Sequence, residues 1–205
     1  MERPGAARRA FGRGAVLGCA LALAAPAGAA GDPARGAARA AACTSCHGTS
    51  ERAPAPGLPS LAGQPEAFLV LQMFLIREGL REVPQMAGML GGFSDRDLED
   101  LAAHFARERP PREDAPRDPA LYARGAELAR RMNCGGCHGA DYRGRAQRPR
   151  LAGQREDYLF SAMRAYRDHR RSGADPAMND VVQGISDAEL RALAHYLARL
   201  EAARR

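Results

Sequence analysis

Cys43-Thr44-Ser45-Cys46-His47 and Cys134-Gly135-Gly136-Cys137-His138 are two copies of the pattern C-x-x-C-H. Two thiols at this spacing can each add to a vinyl group of haem, and the adjoining imidazole can then stand beneath the iron as an axial ligand. Rival chemistries fit less well. A structural zinc site calls for a fourth Cys or His near each pair, a thioredoxin-like dithiol calls for a βαβ setting, and a plain disulfide gives no reason for a histidine in both copies. The fifth cysteine, Cys19, lies in an amino-terminal segment that reads as removable, so no thiol is left over. The pattern predicts two covalently attached c-type haems, tethered by Cys43, Cys46, Cys134 and Cys137, with His47 and His138 as proximal iron ligands.

Methionine is the expected sixth ligand of an electron carrier, because a thioether favours ferrous iron, raises the potential and closes the site to small molecules. Two methionine pairs are in register between the copies. Met73 and Met163 each follow Leu61 or Leu151 by twelve residues, on an apolar helix face where methionine is core filler. Met86 and Met178 each lie two residues after a proline (Pro84, Pro176) and eight before a serine (Ser94, Ser186), on a non-helical approach to the last helix. Met86 and Met178 are therefore assigned as the distal ligands. Met89, whose place is taken by Val181 in the second copy, is the reserve in the first, and Met132 lies just ahead of an attachment motif. His104, His169 and His195 have no partner motif and read as solvated or packed side chains.

The elements that must hold these residues repeat as well. Pro59-Ser60-Leu61-Ala62-Gly63-Gln64 returns as Pro149-Arg150-Leu151-Ala152-Gly153-Gln154, and Ser94-Asp95 returns as Ser186-Asp187. With the cysteine motifs, the offsets are 91, 90 and 92, a tandem duplication with a period near ninety. The proline-rich stretch 109–117 reads as a stiff linker between a first domain at 31–108 and a second at 118–205. Asp32-Pro33 and Asp118-Pro119 cap helices predicted to run into the cysteine motifs. A second helix follows Leu-Ala-Gly-Gln in each copy and is expected to stop at Gly79 and at Gly173. A third opens at Ser94 with Asp97, or Ser186 with Glu189, in the manner of a capping box, and carries Leu98, Leu101 and Phe105, or Leu190, Leu193 and Leu197. Nothing alternates with period two over a useful length. The prediction is an all-α protein of two tandem domains, each with three to four helices around its haem.

The 205 residues are 45% hydrophobic and 26% charged, a globular balance that excludes disordered and multi-span membrane classes. With 6 Phe, 5 Tyr and no Trp, large rings are scarce for small cores, as expected where a flat apolar macrocycle occupies the centre of each unit. All 30 basic residues are arginine and the net charge is +6, yet no basic stripe interleaved with aromatics and no zinc-finger spacing points to nucleic acid. Residues 31–110 carry 8 Arg against 10 acids and residues 111–205 carry 18 against 13, so the two halves present opposite charge to partners. Residues 1–30 read as a cleaved export signal: Arg3, Arg8, Arg9 and Arg13, an uncharged run containing 16–23, and small residues that place cleavage within Ala29 to Gly31. Arg8-Arg9 has a faint twin-arginine look and Cys19 a faint lipoprotein look. The run is short and rich in Ala and Gly for a membrane anchor.

The dihaem layout, Leu-Ala-Gly-Gln in both halves, the run Met86-Ala87-Gly88-Met89-Leu90 and the ending 94–103 resemble the cytochrome c4 family over nearly the whole mature chain. That resemblance implies two class I cytochrome c domains related by approximate twofold symmetry, with His and Met ligands. It implies a periplasmic carrier, soluble or peripheral on the outer face of the inner membrane, that passes single electrons from a donor complex toward a terminal oxidase. It further implies that the Pro59 and Pro149 carbonyls receive the Nδ1 protons of the ligand histidines. Haem is attached after translocation in this family, which favours the general secretory route and leaves Arg8-Arg9 as part of the positive leader. His104 departs from the family, which usually shows tyrosine there as Tyr196 does here. Two other functional classes share parts of the plan: the cytochrome subunit of a flavocytochrome c sulfide dehydrogenase, which has a flavoprotein partner, and a dihaem peroxidase, which needs an open iron position and usually a longer chain.

Overall fold

The computed structural model describes residue 1 and residues 31–111, 115–171 and 176–201, so the segment expected to be an export signal and the middle of the stretch 109–117 lie outside the described residues. Every regular element among them is helical, apart from an isolated bridge between Arg145 and Arg148. In the first half α1 (Pro33–His47), α2 (Glu66–Arg77) and α3 (Asp95–Arg107) are joined by loops that include a 3₁₀ turn, Pro84–Met86. In the second, α4 (Pro119–Arg131), α5 (Cys134–His138), α6 (Glu156–Arg167), α7 (Ala177–Val181) and α8 (Asp187–Ala198) repeat the plan with two breaks.

The helix starts follow from local chemistry. Asp32 and Asp118 each accept two backbone N–H bonds from the first turn ahead of a proline, and Ser94 with Asp97 and Ser186 with Glu189 form complete capping boxes. Three expectations need correction. The second-half helix that was to stop at Gly173 ends at Arg167, and His169 takes the left-handed turn at φ 51°, where its counterpart Gly79 sits at φ 69°. Gly173 itself lies outside the described residues. The helix leading to the second cysteine motif does not run through it: Asn133, at φ 52°, breaks the chain between α4 and α5, whereas α1 continues to His47. Met178 is not on a non-helical approach, since it lies in the single turn of α7.

Each half is built on a tight crossing of its first and last helices. A Cβ on Gly36 would stand 2.0 Å from the Asp100 carbonyl oxygen, and one on Gly125 would stand 2.1 Å from that of Ala192, so only glycine permits α1 on α3 and α4 on α8 at this distance. The first-half core gathers Ala40, Leu69, Leu101, Ala102 and Phe105, with Cys43, Leu61 and Met73 at its border. The second is larger, with Leu128, Leu159, Met163, Leu190, Leu193 and Leu197 among its members and Cys134 at its border.

Candidate haem sites and the seam between them

The last residue of α1 is His47, and the last of α5 is His138. His47 Nδ1 lies 2.9 Å from the Pro59 carbonyl oxygen, and His138 Nδ1 lies 2.9 Å from that of Pro149. A carbonyl only accepts, so each imidazole carries its proton on Nδ1 and keeps the Nε2 lone pair free for a metal. Burial pushes both imidazoles below their ordinary pKa, with the proline carbonyls partly opposing it, so both are neutral at neutral pH. Cys43 and Cys134 are half-buried, and burial raises their thiols; Cys46 and Cys137 are exposed. None of the four is paired in a disulfide. In each half a core-bordering cysteine, an outer cysteine and a tautomer-locked histidine thus share one helix end, a donor set that fits a haem held by two thioethers and an imidazole.

Met86 closes the 3₁₀ turn and Met178 sits on α7, both partly buried. Asn179, beside Met178, is buried and donates through Nδ2 to the carbonyls of Tyr166 (2.7 Å) and Arg171 (2.9 Å), which pins α7 to the end of α6. Met89, the reserve, is 51% exposed. Met73 borders the first core and Met163 is buried in the second.

Of the remaining histidines, His104 meets Phe105 edge-on at 5.0 Å and His169 lies on the exposed turn after α6. His195 is buried and structural: its Nε2 accepts from the Asp118 N–H (3.0 Å) and its Nδ1 faces Glu156 Oε1 (3.3 Å). It thereby ties the start of α4 to α8. The first half makes the same tie with Asp100, which accepts from the Asp32 N–H.

Leu-Ala-Gly-Gln, which sequence reasoning treated only as a repeat and a family mark, builds the seam between the halves. Gly63 and Gly153, at φ 65° and 63°, donate their N–H groups to the carbonyls of Phe105 and Leu197, which anchors the motif on the last helix of its own half. The glutamine that follows crosses over. Gln64 Oε1 accepts from the Arg150 N–H (2.8 Å) and its Nε2 donates to the Arg150 carbonyl (3.1 Å). Reciprocally, Gln154 Oε1 accepts from the Ser60 N–H (2.8 Å) and its Nε2 donates to the Ser60 carbonyl (2.9 Å). Residue i meeting j while the counterpart of j meets that of i is the signature of a twofold contact. Gly57 N–H to Asp157 Oδ2 (2.8 Å) and Arg155 Nη1 to the Pro54 carbonyl (3.2 Å) extend it.

The seam is also cationic. Arg150, 2% exposed, donates to the carbonyls of Ala62 (2.9 Å) and Ala152, and burial pulls its guanidinium down to about 10. Arg81 and Arg171, in register, both approach Tyr158; burial opposes ionisation of that phenol, but the two positive charges outweigh it and hold it below its ordinary value. Such a set suits a cofactor that carries carboxylates.

An all-helical fold that twice presents two thiols and a tautomer-locked imidazole at one helix end defines a c-type cytochrome. The family model for cytochrome c matches residues 122–201. Cytochrome c4 of Pseudomonas aeruginosa is 38% identical over 183 residues, covering 84% of this chain and 90% of that protein. The structure of reduced recombinant cytochrome c4 from Pseudomonas stutzeri superposes with a TM-score of 0.77 at 33% identity, covering 84% of this chain and all of that one. The thiosulfate dehydrogenase electron acceptor of Thiomonas intermedia is 36% identical over 171 residues, 78% of each chain. The chain belongs to the cytochrome c4 family. It is a cytochrome c4-like electron carrier, and the family implies covalently bound haem c.

Proposed function

We propose that the mature chain begins between Ala29 and Gly31 and works in the periplasm as two cytochrome domains, 31–108 and 118–205, joined by the linker 109–117. Each domain binds one haem through Cys43 and Cys46, or Cys134 and Cys137, with iron between His47 and Met86 or between His138 and Met178. A haem so held supplies reversible one-electron ferric/ferrous chemistry. The protein's part is to fix the imidazole through the proline carbonyl, to close the iron to small molecules with a thioether and to keep the two centres together across the glutamine seam. The observation that carries this reading is the duplicated motif whose two histidines are each locked by a proline carbonyl at 2.9 Å.

Electrons pass from a donor complex through the two domains toward a terminal oxidase, in a carrier that is soluble or peripheral on the outer face of the inner membrane. Among the described residues no helix is long and apolar enough to cross a membrane. The likeness to a thiosulfate dehydrogenase electron acceptor favours a second reading, in which the donor is an enzyme that oxidises an inorganic sulfur compound.

The test is holoprotein from periplasmic and membrane fractions, with a haem count per chain and the thioether-to-ferric charge-transfer band read in single variants. Met86→Ala and Met178→Ala are each expected to remove about half of that band and to lower one midpoint potential. A full band in either variant overturns that ligand assignment, and a count of one haem overturns the dihaem reading. Reduction by a respiratory donor complex, compared with reduction by a thiosulfate-oxidising enzyme, separates the two donor readings.

A further inference from the structure

Each crossing glutamine holds the very peptide group that the opposite half's proximal histidine uses. The peptide joining Pro59 to Ser60 accepts from His47 Nδ1 at its carbonyl (2.9 Å), and its N–H donates to Gln154 Oε1 (2.8 Å). The peptide joining Pro149 to Arg150 accepts from His138 at its carbonyl (2.9 Å), and its N–H donates to Gln64 Oε1 (2.8 Å). Both glutamines are buried, at 4% and 2% exposure, so water does not replace them. Two three-member relays result, each beginning at the candidate ligand of one half and ending on a side chain of the other.

We infer that Gln154 is a positioning residue for the first haem and Gln64 for the second, so that each domain sets the redox properties of its neighbour's iron. The inference rests on the ligand reading above and extends it to residues on the far side of the seam. Hydrogen bonds in a chain polarise one another, by about 10–30% per bond. When the peptide N–H donates to the glutamine, electron density moves onto the peptide carbonyl, which then accepts more strongly from Nδ1–H. A stronger bond at Nδ1 makes the imidazole more imidazolate-like and a better donor to iron, which favours the ferric state. Loss of the glutamine amide therefore raises the midpoint of the opposite haem. The Nε2 bond to the carbonyl of Ser60 or Arg150, on the next peptide along, is the second point of the clamp and holds that residue's backbone against the glutamine.

The relays also differ in a way the duplication does not require. Ser60 in one peptide is replaced by Arg150 in the other, and the guanidinium donates across the seam to the Ala62 carbonyl. The positive charge beside the second relay accompanies the Arg150 backbone whatever residue stands at 64, so the glutamine effect is read as a change within each site.

The experiment uses the dihaem holoprotein and the variants Gln154→Met, Gln64→Met and Asp157→Ala. Spectroscopic redox titration gives two midpoints, and proton NMR of the ferric protein gives the hyperfine-shifted ring protons of His47 and His138. Gln154→Met is expected to raise the first-haem midpoint and to move the His47 ring protons while leaving the His138 protons in place. Gln64→Met is expected to do the reverse. Asp157→Ala removes the seam bond to the Gly57 N–H and the pairing with the Arg155 side chain, but leaves both glutamine amides and their bonds to Ser60 and Arg150 in place, so it is expected to move the two midpoints together or not at all. The inference fails if either glutamine variant shifts both haems equally, shifts its own domain's haem, or leaves both unchanged. Failure of the underlying ligand reading shows differently, as the absence of hyperfine-shifted His47 or His138 signals in the unsubstituted protein.

Discussion

Asp100 shows how one residue does work in one half that a different residue does in the other. Arg35 Nε donates to its Oδ2 (2.7 Å), Arg35 Nη2 to its Oδ1 (3.0 Å), and the Asp32 N–H also reaches Oδ1 (2.6 Å). The Arg35 hydrogen bonds are the main reason its carboxyl lies below the ordinary carboxylate range, with burial opposing and the Asp32 amide adding to them. An unfolded aspartate ionises at about 3.9. The contribution of Asp100 is therefore complete above that pH and is lost as pH falls through the lower folded value. Asp100→Asn is expected to unfold at lower temperature than the unsubstituted holoprotein at neutral pH, with the two melting points converging in acid. A gap that stays constant from neutral pH into strong acid would show that the charge is not what matters. The register counterpart of Asp100 is Ala192, and there the tie to the first helix is made instead by His195.

At the scale of elements, the crossings of α1 with α3 and of α4 with α8 depend on single glycines in the repeated triplet Arg35-Gly36-Ala37 and Arg124-Gly125-Ala126. Alanine would gain about 1 kcal/mol of helix propensity at either position. The overlap outweighs it, because the obstructing atom is a backbone carbonyl oxygen about 2 Å away that cannot turn aside. Gly36→Ala and Gly125→Ala are each expected to cost about 1–3 kcal/mol net, read as lower thermal stability of the holoprotein. Unchanged melting would mean that the helices separate without loss. The capping boxes at Ser94 and Ser186 were legible because each is complete within four residues. The end of α6 was not legible, because a histidine does there what glycine does after α2, and left-handed histidine leaves no mark in sequence.

For the whole molecule, the two cores are unequal. Among the described residues, five buried hydrophobic residues make the first and ten the second, and small domains have little stability to spare. In haem-free protein most helical structure is expected to be lost, with residual amide protection concentrated in α4, α6 and α8. Equal protection of both halves, or a melting transition as high as that of the holoprotein, would contradict it. The charge contrast also belongs to this scale: with 8 Arg against 10 acids in 31–110 and 18 against 13 in 111–205, reduction and oxidation rates are expected to respond differently to ionic strength.

The candidate haem site was legible as a pattern in linear spacing. A thiol pair with an adjoining imidazole is a local pattern, helix caps are complete within one turn, and a duplication doubles every signal. Packing settled what lies between the halves. The contacts from Gln64 to Arg150 and from Gln154 to Ser60 join residues 86 and 94 positions apart, and no periodicity or propensity reports a partner at that distance. The same holds for Arg150, an arginine that sequence would place in solvent and that folding buries between two carbonyls. Local bonds carry their own address in the chain, whereas a polar group buried between domains finds its partner only when both surfaces have formed.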